Sequence, residues 1–167
     1  MKRIILIMAL VMVFSLAGIN RSAFAIDEKL TRETLKGFKG VYVDVKIKPD
    51  LDQAGLSKSQ ILTDIELKLR LAGIKVLTEE EWIKEKGEPT FYISVTSLKP
   101  RGGLITYYIS FRFYQVVFME RNPSIEQFGS TWSVGVLSIG DIKDFRANIK
   151  DGVDRFINAY LSVNLKK

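Results

Sequence analysis

The sequence of 167 residues predicts an α+β fold, a two-layer sandwich in which two main helices cover one face of a mostly antiparallel sheet of about four strands. Several segments alternate strictly between apolar and polar residues, as half-buried strands do. Two longer segments repeat apolar residues at every third or fourth position, as amphipathic helices do. These segments follow each other in the order β-α-β-β-β-α, which favours one sheet with helices packed on a single face.

The first strand is predicted over 41–47, where valines and an isoleucine alternate with polar residues. Short helices are expected before and after this region, near 32–36 and over 78–83. The second of them begins with a capping box formed by Thr78 and Glu81, whose side chains each satisfy a free backbone N–H group.

Two long amphipathic helices are predicted. The first follows a capping box of Ser57 and Gln60, carries an apolar stripe over 61–72 and ends at Gly73, a residue suited to the left-handed C-terminal position. The second begins at Gly140-Asp141, and its apolar residues recur at helical spacing as far as Val163.

Three more strands are expected, over 91–96, over 104–119 and over 131–136. The alternation fails at 115–118, which predicts a β-bulge or a stretch covered on both faces. Residues 121–124, Arg-Asn-Pro-Ser, are predicted to turn the chain between the last two strands.

Residues 1–25 have the layout of a cleaved secretory signal peptide, with a basic start, an apolar run over 4–18 and small residues at Ala23 and Ala25. We expect cleavage after Ala25, which leaves 26–167 as a single α+β domain. An uncleaved anchor is the alternative, although the apolar run is shorter than the roughly 20 residues that cross a bilayer.

The composition favours a periplasmic protein without a lipid anchor, because the chain contains no cysteine to lipidate or to form disulfides. Three of the 25 basic residues lie in the signal segment, which leaves 22 against 19 acidic residues and a net charge of +3. A nucleic-acid partner is therefore not expected. Peripheral association with a membrane stays open.

The chain also has no histidine, and the absence of both histidine and cysteine excludes serine and cysteine triads, thiol redox chemistry and ordinary zinc, copper or iron sites. No catalytic residue, metal site or cofactor is assigned, and we expect a protein that is not an enzyme. Asp50, Asp52 and Gly55 resemble the start of a calcium loop, but Ala54 and Ile61 replace two of its ligands. We interpret them as a solvated loop.

The sheet face opposite the helices is the candidate binding surface, and its predicted residues are Tyr42, Tyr92, Tyr108, Arg112 and Tyr114. Tyrosine and arginine are enriched at interaction hot spots, since each combines apolar area with a polar end. High strand propensity alone explains much of this pattern and is the favoured explanation of tyrosines at these positions. The same face is predicted to carry Thr96, Thr106 and Thr131.

Three segments, 40–45, 63–74 and 156–161, look like those of a family of exported bacterial proteins without an assigned function. The order of the elements resembles small α+β envelope domains such as the TolB N-terminal domain and the lipopolysaccharide-assembly lipoprotein. These resemblances imply an envelope location and no particular activity.

The leading hypothesis is a non-enzymatic periplasmic protein that binds another envelope protein through the tyrosine-bearing face or an exposed strand edge. The alternative is a carrier of a small apolar or lipidic ligand held between the helices and the sheet. A carboxylate-dependent hydrolase is a third option.

Overall fold

The computed structural model describes residues 25–48, 51, 56–98, 105–140 and 142–165. Ala23, the rest of the predicted signal segment before Ala25, and the predicted solvated loop around Asp50 and Asp52 lie outside the described residues. In chain order the elements are β1 (Ala25–Ile26), α1 (Lys29–Glu33), β2 (Tyr42–Ile47), α2 (Lys58–Leu71), α3 (Glu79–Lys84), β3 (Thr90–Leu98), β4 (Ile105–Met119), β5 (Asn122–Gly140) and α4 (Ile142–Asn164).

The predicted α+β class is confirmed, with a mixed sheet in the strand order β1-β5-β4-β3-β2. Strands β3, β4 and β5 pair antiparallel over long stretches, and β1 adds two residues to the far edge of β5. Strand β2 pairs parallel to β3. The parallel pair arises because α2 and α3 carry the chain back to the end of the sheet from which β2 started.

Helices α2 and α4 cover one face of the sheet, which we call the inner face. Aromatic rings fill the interface there. Phe156 of α4 stacks on Phe91 of β3 with ring centroids 4.1 Å apart, and it meets Trp132 of β5 edge-on at 5.4 Å. Gly152 lies so close to the sheet that an added Cβ would stand 2.1 Å from the Phe111 ring.

The start of α2 differs in part from the predicted capping box. The Ser57 hydroxyl accepts a hydrogen bond from the Gln60 backbone N–H, as predicted. The Gln60 side chain instead accepts a hydrogen bond from Arg146 of α4, at 2.9 Å. Contact with a second helix thus redirects the Gln60 amide. The capping box of Thr78 and Glu81 at α3 is confirmed.

The irregularity predicted at 115–118 lies on the opposite strand. The pairing register shifts after Phe113, so that Thr131 of β5 becomes the extra residue of a bulge. Thr131 is therefore not directed outward as predicted: its hydroxyl accepts a hydrogen bond from Gln115, whose amide also donates to the Thr34 carbonyl beside α1.

The turn between β4 and β5 is shorter than predicted. Strand β5 begins at Asn122, so only Glu120 and Arg121 separate the two strands. The hairpin extends past the last residue pair of β3 and β4, which is Thr90 and Tyr114. Residues 120–128 are all exposed.

Candidate functional site

The face of the sheet away from α2 and α4, which we call the outer face, carries the predicted binding residues. Tyr92 lies between the fully buried Phe91 and Ile93 on β3, and Arg112 lies between the fully buried Phe111 and Phe113 on β4. Because side chains alternate along a strand, Tyr92 and Arg112 stand on the opposite side from these core residues.

The strand register brings three predicted residues into one group. Tyr92 pairs directly with Arg112 across β3 and β4. The Arg112 guanidinium donates from Nη1 to the Tyr114 hydroxyl at 3.1 Å, and from Nε to the Ser110 hydroxyl at 3.0 Å. The Tyr92 ring meets the Tyr114 ring edge-on, with centroids 5.8 Å apart. We call Tyr92, Arg112 and Tyr114 the tyrosine–arginine cluster.

The other two predicted residues lie on the same face but outside the cluster. Tyr108 covers Gly135 of β5, where an added Cβ would stand 2.4 Å from the tyrosine hydroxyl. Tyr42 stacks on Trp82 of α3 with centroids 5.2 Å apart, at the β2 edge of the sheet. The Tyr42 ring is thus already in contact with another element of the protein.

Sequence reasoning missed the apolar part of the outer face. Phe128 of β5 stacks on Tyr114, with centroids 5.4 Å apart and planes 12° from parallel. Phe128 remains 41% exposed, and Phe118, Leu137 and Ile139 are more exposed still. The sequence does contain a pattern that could have revealed it. A strand predicted to run as far as Met119 needs a partner strand that begins directly after the turn, and residues 125–128 stand at that point.

Local electrostatics favour the neutral form of Tyr92 and the charged form of Arg112. Burial is the main cause that raises the pKa of Tyr92, and the nearby carboxylate of Asp44 adds to it. The hydrogen bond from Arg112 to the Tyr114 hydroxyl is the main cause that raises the arginine pKa. Near neutral pH the cluster therefore presents a positive charge on Arg112 beside the neutral Tyr92 ring.

A shallow depression of about 270 Å³ lies beside the cluster, where the bulge bends β5. Arg112, Ser130 and Ser133 contribute to its lining, and the Ser130 hydroxyl already donates to the Trp132 carbonyl. Ser133 pairs with Arg112 across β4 and β5. The depression therefore places two serine hydroxyls beside Arg112, which belongs to the tyrosine–arginine cluster.

A second groove, of about 250 Å³, runs between α2 and α4. Its apolar lining comes from Ile61, Ile65, Ile149 and Val153, all on the two helices. The predicted carrier would instead hold its ligand between helices and sheet, where the rings of Phe91, Phe111, Phe113, Phe156 and Trp132 are fully buried. The carrier hypothesis stays a prediction.

Within the part of the chain that the structure describes, acidic side chains nowhere gather in the threes that a metal site requires. No helix in the same part combines the length and apolarity needed to span a bilayer.

The described residues form an α+β fold in which α2 and α4 cover the inner face of the sheet and neither covers the outer face. No protein-family model matches the chain, and a search of curated proteins finds no significant match. The resemblance to the TolB N-terminal domain and to exported bacterial proteins therefore stays a prediction from the sequence.

Proposed function

We propose that this chain is an exported, non-enzymatic protein of the periplasm that binds another envelope protein through its outer sheet face. The observation that carries the proposal is the continuous row of rings formed by Tyr92, Tyr114 and Phe128 around Arg112, on a face that neither long helix covers. Aromatic residues and arginine provide most of the binding energy at protein interfaces.

The packing of the row suits it to binding. Each ring already rests against a neighbour, and the guanidinium is held by two hydrogen bonds. Side chains that are ordered before binding lose less conformational entropy when a partner covers them. The exposed Phe128 and Phe118 extend the apolar area along the hairpin.

The export step rests on the signal-like sequence of residues 1–25. We expect protein isolated from the periplasmic fraction to begin at Ile26, with a mass that lacks the signal segment. N-terminal sequencing and intact-mass measurement test this. Full-length protein that stays in the membrane fraction would contradict cleavage and would favour the uncleaved anchor.

Site-specific photo-crosslinking in the native bacterium tests the binding surface. A benzophenone side chain is placed at Tyr108, on the outer face beside the cluster, or at Leu71, which is 78% exposed on α2. We expect a discrete adduct with one envelope protein from position 108 and none from position 71. Mass spectrometry then identifies the captured protein.

A matched pair of surface variants serves as the control. The first replaces Tyr92, Tyr108 and Arg112 with serine, and the second replaces Leu30, Leu67 and Leu71, which are exposed leucines on α1 and α2. With the benzophenone moved to Phe128, the first variant should lose the adduct and the second should retain it, while both keep a cooperative thermal transition. Undiminished capture by a folded first variant would refute the surface.

A further inference from the structure

Arg112 is held in place yet carries unused hydrogen-bonding capacity. A guanidinium has five N–H donors in a planar fork, and two of those in Arg112 bond to Ser110 and Tyr114. The remaining three have no partner among the described residues. Its side chain is exposed on the outer face, so these donors are open to a ligand.

No carboxylate of the described chain neutralises this arginine. Two other arginines do have such partners: Arg32 binds Asp27 through two parallel hydrogen bonds, and Arg70 binds Glu66. On the outer face Asp44 lies two strands from Arg112, across Tyr92, which corresponds to about 10 Å. The positive charge of Arg112 is therefore uncompensated locally.

The depression beside Arg112 supplies space and a second polar group. Ser133, its direct partner on β5, lines the depression, and no described residue bonds to the Ser133 hydroxyl. A carboxylate in this position would meet the guanidinium fork on one side and a hydroxyl on the other. Charge-assisted bonds of this kind are shorter and stronger than neutral ones.

The two stacked rings beside Arg112 restrict the ligand further. Tyr114 and Phe128 stack beside Arg112 and leave Phe128 partly exposed. A free small anion would leave these rings in water, whereas a peptide would cover them. An extended peptide places successive side chains on opposite faces, so that a carboxylate and an apolar side chain two residues apart point the same way.

We propose that Arg112 and Ser133 bind an aspartate or glutamate side chain of the partner protein, and that an apolar side chain beside it rests on Tyr114 and Phe128. This inference rests on the proposed function and specifies the chemistry of its partner. The fork geometry requires arginine, because a lysine ammonium cannot make two parallel bonds to a carboxylate.

Selection from a peptide library tests the proposal with a defined probe. Random twelve-residue peptides, displayed without a free carboxyl terminus, are selected on the purified exported protein. We expect the enriched sequences to carry an Asp or Glu two residues from an aromatic or aliphatic residue, because side chains two apart in an extended peptide point the same way. Synthetic versions are then titrated against the wild type and its variants.

Arg112→Gln and Arg112→Lys should each weaken the selected peptide about tenfold or more, since hydrogen bonds to a charged group contribute about 1.5–3 kcal/mol. Arg146→Gln is the matched control, because Arg146 bonds to the Gln60 amide on the helical side and not to a carboxylate. It should change affinity less than twofold. Replacing the peptide carboxylate by its amide should weaken binding to the wild type but not to Arg112→Gln.

A second variant keeps the test decisive if Arg112→Gln does not fold. Ser133→Leu fills the depression with a strand-compatible side chain and should weaken the peptide by a similar factor. Failure to enrich any peptide would overturn the inference.

Two further outcomes separate this inference from the proposed function. Peptides without acidic residues that bind the wild type but not Tyr114→Ser would overturn the carboxylate site and leave the outer face as the binding surface. Peptides insensitive to both Tyr114→Ser and Arg112→Gln would contradict both proposals.

Discussion

The two faces of the one sheet use aromatic residues in opposite ways. On the inner face Phe91, Phe111 and Phe156 are fully buried and packed against each other. On the outer face Tyr114 and Phe128 also stack, yet water reaches both of them. The contrast indicates that the inner face maintains the fold, while the stacked rings of the outer face remain accessible to water.

The largest expected effect is a loss of free energy of unfolding, and it appears when two neighbouring residues of β3 are compared. Phe91→Ala removes a fully buried ring and should lower the free energy of unfolding by about 3–5 kcal/mol, whereas Tyr92→Ala should lower it by about 1 kcal/mol. Urea unfolding followed by circular dichroism measures both. Similar losses would show that the outer face contributes to the core, and would remove the basis for a separate binding face.

Two glycines, each in contact with an aromatic ring, test the same difference between the inner and outer faces. An alanine Cβ at Gly152 would stand 2.1 Å from the Phe111 ring, and one at Gly135 would stand 2.4 Å from the Tyr108 hydroxyl. The Phe111 ring is enclosed, but Tyr108 can swing into solvent. Gly152→Ala should therefore cost about 2 kcal/mol, even after its gain in helix propensity.

Gly135→Ala should change the free energy of unfolding by less than about 0.5 kcal/mol, because the added Cβ would meet only the far end of the half-buried Tyr108 side chain, which can move away. Thermal unfolding of Gly152→Ala and of Gly135→Ala tests this. Gly135→Ala is measured in a Tyr108→Ala background as well. A loss at Gly135 as large as that at Gly152 would mean that Tyr108 is fixed, contrary to an open outer face.

A smaller effect concerns the polar border of the inner face, where Asp27 accepts hydrogen bonds from Arg32 and from the indole N–H of Trp132. The Arg32 hydrogen bond is the main cause that lowers the pKa of Asp27. A carboxyl whose pKa is lower in the folded state stabilises the fold above its unfolded pKa, near 4, and loses that contribution as the pH falls through the folded pKa.

We therefore expect Asp27→Asn to cost about 1–2 kcal/mol at neutral pH, and the difference from the wild type to shrink progressively below about pH 4. Urea unfolding at several pH values measures it. Glu33→Gln, in the exposed pair with Lys36, should cost less than about 0.5 kcal/mol throughout. A difference for Asp27→Asn that is independent of pH would contradict the role of the charged carboxylate.

Much of the fold could be predicted because local periodicity encodes it. Two local patterns show which side of each element is buried, namely the apolar stripes of α2 and α4 and the alternation in β3 and β4. The alternation thereby places Tyr92, Arg112 and Tyr114 on the outer face. The length of β5 could not be read in this way. Residues 122–128 are exposed on both faces and carry little alternation, and only their pairing with β4 makes them a strand.

Local sequence patterns and composition are enough to establish the α+β class, the residues of the covered face and the exclusion of histidine and cysteine chemistry. Which residues of the outer face contact each other follows only from how the strands pair. Pairing of β3 with β4 places Tyr92 beside Arg112, and the bulge at Thr131 turns that residue inward while Phe128 stacks on Tyr114. The physical reason is that contacts between strands depend on register, which long-range hydrogen bonds and core packing set jointly.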